Sequence, residues 1–291
     1  MNPAPSVILF TVLAGMGFGL LAFLGLGWPV PAPGWFAFLH WGLGYGLAVG
    51  GLAASTLHLG NPRNAMKAFS QWQTSWLSRE AWASVATLVL LAPVALSDWL
   101  GLGWPRGLGL AGAVLAVMTV GTTSMIYGQL KTIPRWHSPM TPALFLSFMA
   151  TGGAIVSGNA LLALIFCAIL AATLILSFRV GDTAFARAAQ TIGTATGLGQ
   201  IGQVTVFEQP HTSPNYLMRE MIHVVGRKHA QKLRLIAVTL SAILPFLLLL
   251  LPASPPLFTL IAALHLIGAA AARWLFFAEA EHVVGLYYGQ R

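Results

Sequence analysis

Long apolar runs separated by short polar stretches make up most of the 291-residue chain. A helix that spans a bilayer needs about 20 mostly apolar residues, and eight runs come close to that length. They are residues 6–28, 35–57, 80–98, 107–130, 140–158, 159–178, 233–251 and 256–278. Only a tight turn near Ser157–Asn159 separates the fifth run from the sixth. The pattern predicts an all-α integral membrane protein, a bundle of eight transmembrane helices in one domain, 1–291.

Glycine recurs within the predicted spans. Two groups stand out, namely Gly15, Gly17 and Gly19 in the first span and Gly42, Gly46 and Gly50 in the second. Small residues at such spacings allow two helices to approach closely in a membrane. We interpret these glycines as contact points between helices.

The composition supports the membrane assignment. Only 8% of the residues are charged, whereas about 25% are charged in an ordinary soluble domain. A net charge of +8 raises the possibility of nucleic-acid binding, but the basic residues lie in the segments between apolar runs, so no nucleic-acid partner is expected. The single cysteine, Cys167, excludes intrachain disulfides and any thiolate-ligated iron–sulfur cluster held by this chain alone.

The basic residues lie almost entirely on one side of the predicted bundle. Eight spans put both termini on the same side as loops 58–79, 131–139 and 179–232. Fourteen of the 15 Lys and Arg residues fall there, and only Arg106 falls on the other side. The positive-inside rule therefore predicts cytoplasmic termini in a bacterial inner membrane. It also makes 179–232 a long cytoplasmic loop, for which we predict an amphipathic helical segment.

The predicted spans contain few ionisable groups. No acidic residue lies deep within a span, which disfavours ion-coupled transporters and proton pumps because these usually carry buried carboxylates. His40, His265 and Arg273 remain as polar groups inside the membrane. Hydrogen bonding between helices is the ordinary role for such histidines. Ligation of a haem b by His40 and His265 is the alternative.

The segment between the second and third runs, residues 58–80, concentrates polar side chains at the membrane edge; it reads HLGNPRNAMKAFSQWQTSWLSRE. His58 ends the second run and is followed by the helix breakers Gly60 and Pro62. A histidine at the headgroup level can donate a hydrogen bond to a quinone carbonyl and deliver a proton during reduction. His58 is therefore the candidate catalytic residue, with a quinone as its ligand.

The other polar residues of this segment suit the same ligand. Arg63 and Arg79 can stabilise the negative charge of a reduced ring, and Glu80 can pair with Arg79 and relay protons. The alternative is structural: snorkelling arginines beside an aromatic belt. In that case Trp72, Trp76 and Trp82 would only mark the edge of the membrane.

Three segments resemble the DMSO reductase anchor subunit family. They are STLHLGNPRNAMKAFSQWQTSWLSRE (55–80), MIYGQLKTIPRWHSPMTPALF (125–145) and HTSPNYLMREMIHVVGRKHAQKLR (211–234). The resemblance implies a haem-free, non-catalytic subunit of a three-subunit molybdenum enzyme that binds quinone, without a metal of its own. Molybdopterin and [4Fe–4S] clusters belong to the partner subunits. The quinol-site histidine of the family falls on His58, and the surrounding pattern falls on Arg63, Trp76, Ser78, Arg79 and Glu80.

The resemblance leaves two kinds of complex open. The charge asymmetry favours a cytoplasm-facing sulfite dehydrogenase that passes electrons to the quinone pool. The alternative is a DMSO or related S- or N-oxide reductase that takes electrons from quinol. For the dehydrogenase we expect the iron–sulfur subunit to dock on the basic loops, with Trp136 and Tyr216 as candidate anchors, and the molybdopterin subunit to follow it.

Overall fold

The computed structural model describes residues 1–57, 61–208, 213, 215–222 and 228–289, and every regular element in them is a helix. The α-helices are α1 Pro5–Leu26, α2 Trp35–Thr56, α3 Trp76–Leu100, α4 Gly107–Gly128, α5 Met140–Val156, α6 Ala160–Arg187, α7 Ile192–Thr196, α8 Tyr216–Met221, α9 Ala230–Leu248 and α10 Pro255–Ala278. Two 3-10 helices, Pro62–Phe69 and Val283–Tyr288, lie outside these elements.

Seven helices in the described part of the chain are long and apolar enough to cross a membrane. These are α1 to α4, α6, α9 and α10, whereas α5 is shorter, with 17 residues. The tight turn predicted between α5 and α6 is present. Gly158 adopts a left-handed conformation with φ of 76°, and the Asn159 side chain caps α6 by accepting a hydrogen bond from the Leu162 amide at 3.1 Å. Length and composition thus support seven of the eight expected spans.

Helix α1 lies at the centre of the bundle and packs against α2, α4 and α5. Its contacts depend on glycine: Gly17 meets Ala48 of α2, Gly19 meets Gly153 of α5, and Gly25 meets Gly109 of α4. A Cβ atom at any of these three glycines would lie within 3.0 Å of a neighbouring backbone atom. Close backbone packing of this kind replaces the hydrophobic effect as the force that joins helices in lipid.

Only some of the glycines that were predicted to contact another helix do so. Gly17 and Gly19 are contact positions, but Gly42, Gly46 and Gly50 of α2 face open space, as does Gly15 of α1. The contact positions of α2 are Gly44, against Leu21, and Gly51, against Ala14. The prediction for α2 was wrong because a glycine spacing does not identify which face of a uniformly apolar helix meets its neighbour.

Helix α9 is interrupted by a π-helical turn at Thr239–Ile243. Pro245 has no amide hydrogen, so it cannot donate to the Ser241 carbonyl four residues earlier. The imidazole Nδ1 of His265 in α10 donates to that carbonyl instead, at 2.8 Å. Gly268 packs directly on the Ser241 backbone. Helix α10 thus supplies the hydrogen bond and the packing contact at the interrupted turn of α9.

The two edges of the bundle differ in charge. We call the edge that holds Met1, Thr132, Arg135 and Glu279 the basic edge. There the Met1 amino group donates to the Ala280 carbonyl at 3.0 Å, and the amide that follows His282 donates to Thr132 at 3.0 Å. At the opposite edge Arg106 pairs with Asp98 at 2.7 Å. The contact between Met1 and Ala280 places both ends of the helical bundle together, and the assignment of that edge to the cytoplasm stays a prediction.

The packing of α2 on α1 gives a direct prediction. Gly51→Ala should lower stability, since its Cβ atom would overlap the Ala14 backbone and overpacking costs about 1–3 kcal/mol. The adjacent Gly50→Ala should be neutral or stabilising because that position is open and alanine favours a helix by about 1 kcal/mol over glycine. Thermal unfolding in detergent, followed by tryptophan fluorescence, measures both. Equal melting temperatures for the two variants would contradict this packing.

Candidate functional site

The segment before α3 is fastened to the outer face of that helix. The Asn61 side chain caps the 3-10 helix by accepting a hydrogen bond from the Arg63 amide at 3.2 Å. The Trp82 indole donates to the Phe69 carbonyl at 3.0 Å, and the two rings meet edge to face at 5.3 Å. Residues 61–75 therefore lie against α3 in a defined position, and Arg63 is exposed.

Arg79 organises an exposed aromatic surface at the start of α3. Its guanidinium donates to the carbonyls of Trp72, at 3.0 Å, and Gln73, at 2.7 Å. It also lies over the Trp76 ring at 4.4 Å, a favourable cation–π geometry. A groove of about 390 Å³ opens between Trp72, Arg79 and Trp82. Ligand pockets commonly have volumes of about 300–1,000 Å³, so the groove is large enough for an aromatic ring.

Glu80 and Ser78 face the opposite way, into the bundle. Only 4% of Glu80 and 2% of Ser78 is exposed, and the Glu80 carboxylate accepts a hydrogen bond from the Thr123 hydroxyl of α4. The predicted ion pair between Arg79 and Glu80 was wrong. Consecutive residues of an α-helix point about 100° apart, so Arg79 lies on the outer face and Glu80 on the inner one.

The interior of the bundle is more polar than the sequence suggested. Because α3 begins at Trp76, Glu80 lies about 6 Å inside the helix, at 1.5 Å per residue. Arg273 of α10 is only 2% exposed and lies over the Phe145 ring at 3.5 Å. Its Nη1 has no hydrogen-bond partner among the described residues. The sequence placed Glu80 at the first residue of a span; the structure begins α3 at Trp76 and turns Glu80 into the bundle.

A small internal cavity separates these buried groups. Thr11, Thr123, His265 and Arg273 contribute to its walls, and its volume is about 20 Å³, which is enough for about one water molecule. Thr123 therefore has Glu80 on one side and the cavity on the other. Glu80 and Arg273 thus lie on either side of one hydroxyl and one small, mostly apolar space, an arrangement that the sequence alone did not indicate.

The two histidines of the haem alternative lie on helices with different neighbours. His40 of α2 is bonded to the Phe36 carbonyl of its own helix at 2.9 Å, and α2 packs on α1 and α3. His265 of α10 is bonded to Ser241, and α10 packs mainly on α9, α5 and α1. Since His265 borders only the small internal cavity, this geometry gives the haem alternative no support. The absence of haem stays a prediction.

The described site residues lie in three places rather than in one pocket. Arg79 lines the outer groove and covers the Trp76 ring, Ser78 and Glu80 lie on the inner face of α3, and Arg63 lies on the 3-10 helix. His58, the predicted quinone donor, lies outside the described residues, between Leu57 and Asn61. The groove also contains Trp72 and Trp82, which the sequence analysis assigned only to an aromatic belt. The sequence signal that could have assigned them to the groove is their position, seven residues before and three residues after Arg79.

Four charged side chains form a network at the basic edge. Arg135 binds Asp182 at 2.7 Å and Glu279 at 3.2 Å. Arg234 binds Glu279 at 2.7 Å and both oxygens of Asp182. The network ties the segment before α5 to the ends of α6, α9 and α10. Charge-assisted, two-pronged arginine pairs are the geometrically strong kind, so this edge forms a rigid platform.

Only part of the predicted docking surface is exposed. Trp136, predicted as an anchor for a partner, is 2% exposed and stacks on Phe276 at 5.1 Å, so that prediction was wrong. Its indole donates to the Phe276 carbonyl at 2.8 Å, which makes it part of the core. Tyr216 is 71% exposed and remains available as an anchor.

Comparison with known proteins decides the family. Residues 1–289 match the sequence profile described as DMSO reductase anchor subunit (DmsC). The chain belongs to this family. A relative from Allochromatium vinosum, one of the subunits of a sulfite dehydrogenase, is 30% identical over 325 aligned positions that cover 99% of each chain. No solved structure matches the chain.

Membership of the anchor family confirms the resemblance seen in the three sequence segments. The chain is the membrane anchor subunit of an oxidoreductase complex of the DMSO reductase type, which implies catalytic and iron–sulfur partner subunits. Together with its apolar helices, this makes it a multi-pass membrane protein. The groove, the buried Glu80 and the basic edge are the features that this role has to explain.

The C-terminal turn at the basic edge should respond to pH. The His282 Nδ1 accepts a hydrogen bond from the Val284 amide at 3.0 Å and so caps the last 3-10 helix. Burial, and then the nearby positive charge of the Met1 amino group, lower the pKa of His282 from its ordinary value. A histidine whose folded pKa is lowered stabilises the fold above its unfolded pKa, about 6.5, and this contribution is lost as the pH falls below it.

We therefore expect hydrogen exchange at the Val284 amide to accelerate below about pH 6.5, after correction for the intrinsic rate. His282→Asn keeps an acceptor at the cap but has no group that titrates in this range, so exchange in that variant should not change with pH. The same acid response in both proteins would show that another group is responsible.

Proposed function

We propose that this chain is the quinone-binding, electron-transfer anchor of a three-subunit molybdenum and iron–sulfur sulfite dehydrogenase. In this proposal electrons from sulfite oxidation pass through the clusters of the partner subunits and reach a quinone at the start of α3. The partners lie on the cytoplasmic face of a bacterial inner membrane and dock at the basic edge. The chain itself contributes the quinone site and the membrane attachment.

One observation carries the quinone assignment: an aromatic groove with a fixed cation and a buried carboxylate lie on the two faces of one helical turn. The groove between Trp72, Arg79 and Trp82 offers flat apolar walls. Two backbone carbonyls hold the Arg79 guanidinium in place. Because Glu80 is removed from water in the first turns of α3, it is a functional rather than a solvated group.

A quinone accepts two electrons and two protons when it becomes quinol. In the proposed site Arg79 stabilises the negative charge that develops on the ring oxygens, and Trp72 and Trp82 hold the ring plane. His58 donates a hydrogen bond and a proton to one carbonyl oxygen. The other carbonyl oxygen takes its proton from water at the open groove. Glu80 does not contact the ring and returns a proton to His58 after each transfer, held in orientation by the Thr123 hydroxyl.

The sulfite assignment rests on two observations. The A. vinosum relative that matches along 99% of its length belongs to a sulfite dehydrogenase. In addition, fourteen of the 15 Lys and Arg residues fall on the side that the positive-inside rule assigns to the cytoplasm, which suits partner subunits on that face.

Variants of His58, Glu80 and Thr123 test the quinone site. His58→Ala should abolish sulfite-to-quinone turnover, and Glu80→Gln should reduce it about 100-fold or more, the range found for lost proton-transfer groups. Thr123→Val should reduce turnover by a smaller factor because it leaves the Glu80 carboxylate in place and removes its hydrogen bond, together with a bond to the Thr119 carbonyl at 2.9 Å. Sulfite oxidation with a soluble dye that bypasses the anchor, measured in washed membranes, should be unchanged in all three, which shows that active partner subunits are still attached to the anchor.

Thr122→Val is the matched control, since the Thr122 hydroxyl bonds only the Thr119 carbonyl of its own helix, at 2.7 Å. It should behave like the wild type in both assays. Quinone-linked turnover that survives in His58→Ala and Glu80→Gln would leave the chain as a purely structural anchor.

The second candidate function is an S- or N-oxide reductase that is fed by quinol, favoured by the DMSO reductase description of the family profile. The purified complex separates the two: sulfite should reduce added quinone, whereas the reductase would oxidise quinol with DMSO as acceptor. A twin-arginine leader on the catalytic subunit encoded by a neighbouring gene would favour the reductase, and its absence would favour the dehydrogenase.

A further inference from the structure

A second open cleft lies at the basic edge, away from the quinone groove. It has a volume of about 640 Å³ and lies between residues 131–139 and the last turns of α6. Lys131 and Arg187 line it, together with the apolar side chains of Leu176, Val180 and Met140. The cleft is therefore cationic in one part and apolar in another.

The basic residues of this cleft differ from nearby arginines in having no acidic residue beside them. Arg135 and Arg234 are bound to Asp182 and Glu279, but the residues that line the cleft include no Asp or Glu. Arg187 donates to the Val180 carbonyl at 2.6 Å, which positions its guanidinium without neutralising it. Among the described residues, neither Lys131 nor Arg187 has a carboxylate partner, so the cleft holds two uncompensated positive charges.

The position of the cleft near the end of α6 corresponds to the headgroup layer of a bilayer. Helix α6 has 28 residues and is about 42 Å long, whereas the hydrocarbon core of a bilayer is about 30 Å thick. The end of α6 that carries Arg187 therefore extends beyond the hydrocarbon. Leu176 lies eleven residues earlier, about 16 Å along the axis, and is 48% exposed on a helix whose outer face is apolar.

We propose that this cleft binds an anionic phospholipid. The phosphate lies between Lys131 and Arg187, and an acyl chain follows α6 past Val180 and Leu176. Basic pockets between membrane helices are suited to anionic headgroups, and the open apolar end distinguishes this ligand from an acidic segment of a partner protein. The inference depends on the membrane location of the chain and not on the quinone site.

Native mass spectrometry of the purified complex tests the site with two added lipids, phosphatidylglycerol and phosphatidylcholine. The wild type should retain phosphatidylglycerol in preference to phosphatidylcholine. The double variant Lys131→Gln/Arg187→Gln should bind phosphatidylglycerol about 30-fold more weakly, since each basic residue near an anionic surface contributes about a fivefold factor. Lys131→Arg/Arg187→Lys keeps both charges and should retain the lipid.

Lys67→Gln/Arg219→Gln is the matched control, because it removes the same charge from exposed positions outside the cleft and should not change lipid binding. Equal retention of both lipids, undiminished binding in the Lys131/Arg187 double variant, or crosslinking of the cleft to the iron–sulfur subunit would overturn the proposal. Quinone-linked turnover is not a readout here, so loss of the lipid site and failure of the quinone site are separate results.

Discussion

The close backbone approach of α1 to α2, α4 and α5 is the constraint on which the rest of the structure depends. In lipid an apolar surface gains little by meeting another apolar surface, so helices associate where small residues allow backbone contact. Gly17, Gly19 and Gly25 give α1 three such contacts. Because α4 is held on α1, and α3 packs on α4, the first turns of α3 are fixed relative to the interior, and Glu80 meets Thr123.

That placement divides the start of α3 into two chemical environments. The outer face presents Arg79 with the tryptophans, where a planar ligand can enter from the membrane edge. The inner face keeps a carboxylate away from water, beside a small cavity that leads to Arg273. In the proposed function, proton storage and quinone binding are thus separated by the width of one helix.

The sequence predicted the apolar helices and the charge difference between the two edges well, since hydropathy and loop charge are local properties. It could not predict which face of a helix meets which neighbour. In helices that are apolar all round, no polar stripe marks the exposed side, so Gly44 and Gly51 could not be distinguished from Gly42 and Gly50. For the same reason the burial of Trp136 and the bond between Glu80 and Thr123, 43 residues apart, required the structure.

The most direct test of the central claim is photolabelling of the intact complex with an azidoquinone, with the attachment site mapped by peptide mass spectrometry. We expect label within residues 58–82, competed by excess quinone, on the side chains of the groove or on His58. Competed label confined to another part of the chain, such as the cleft beside α6 or the edge that holds Arg106, would contradict it.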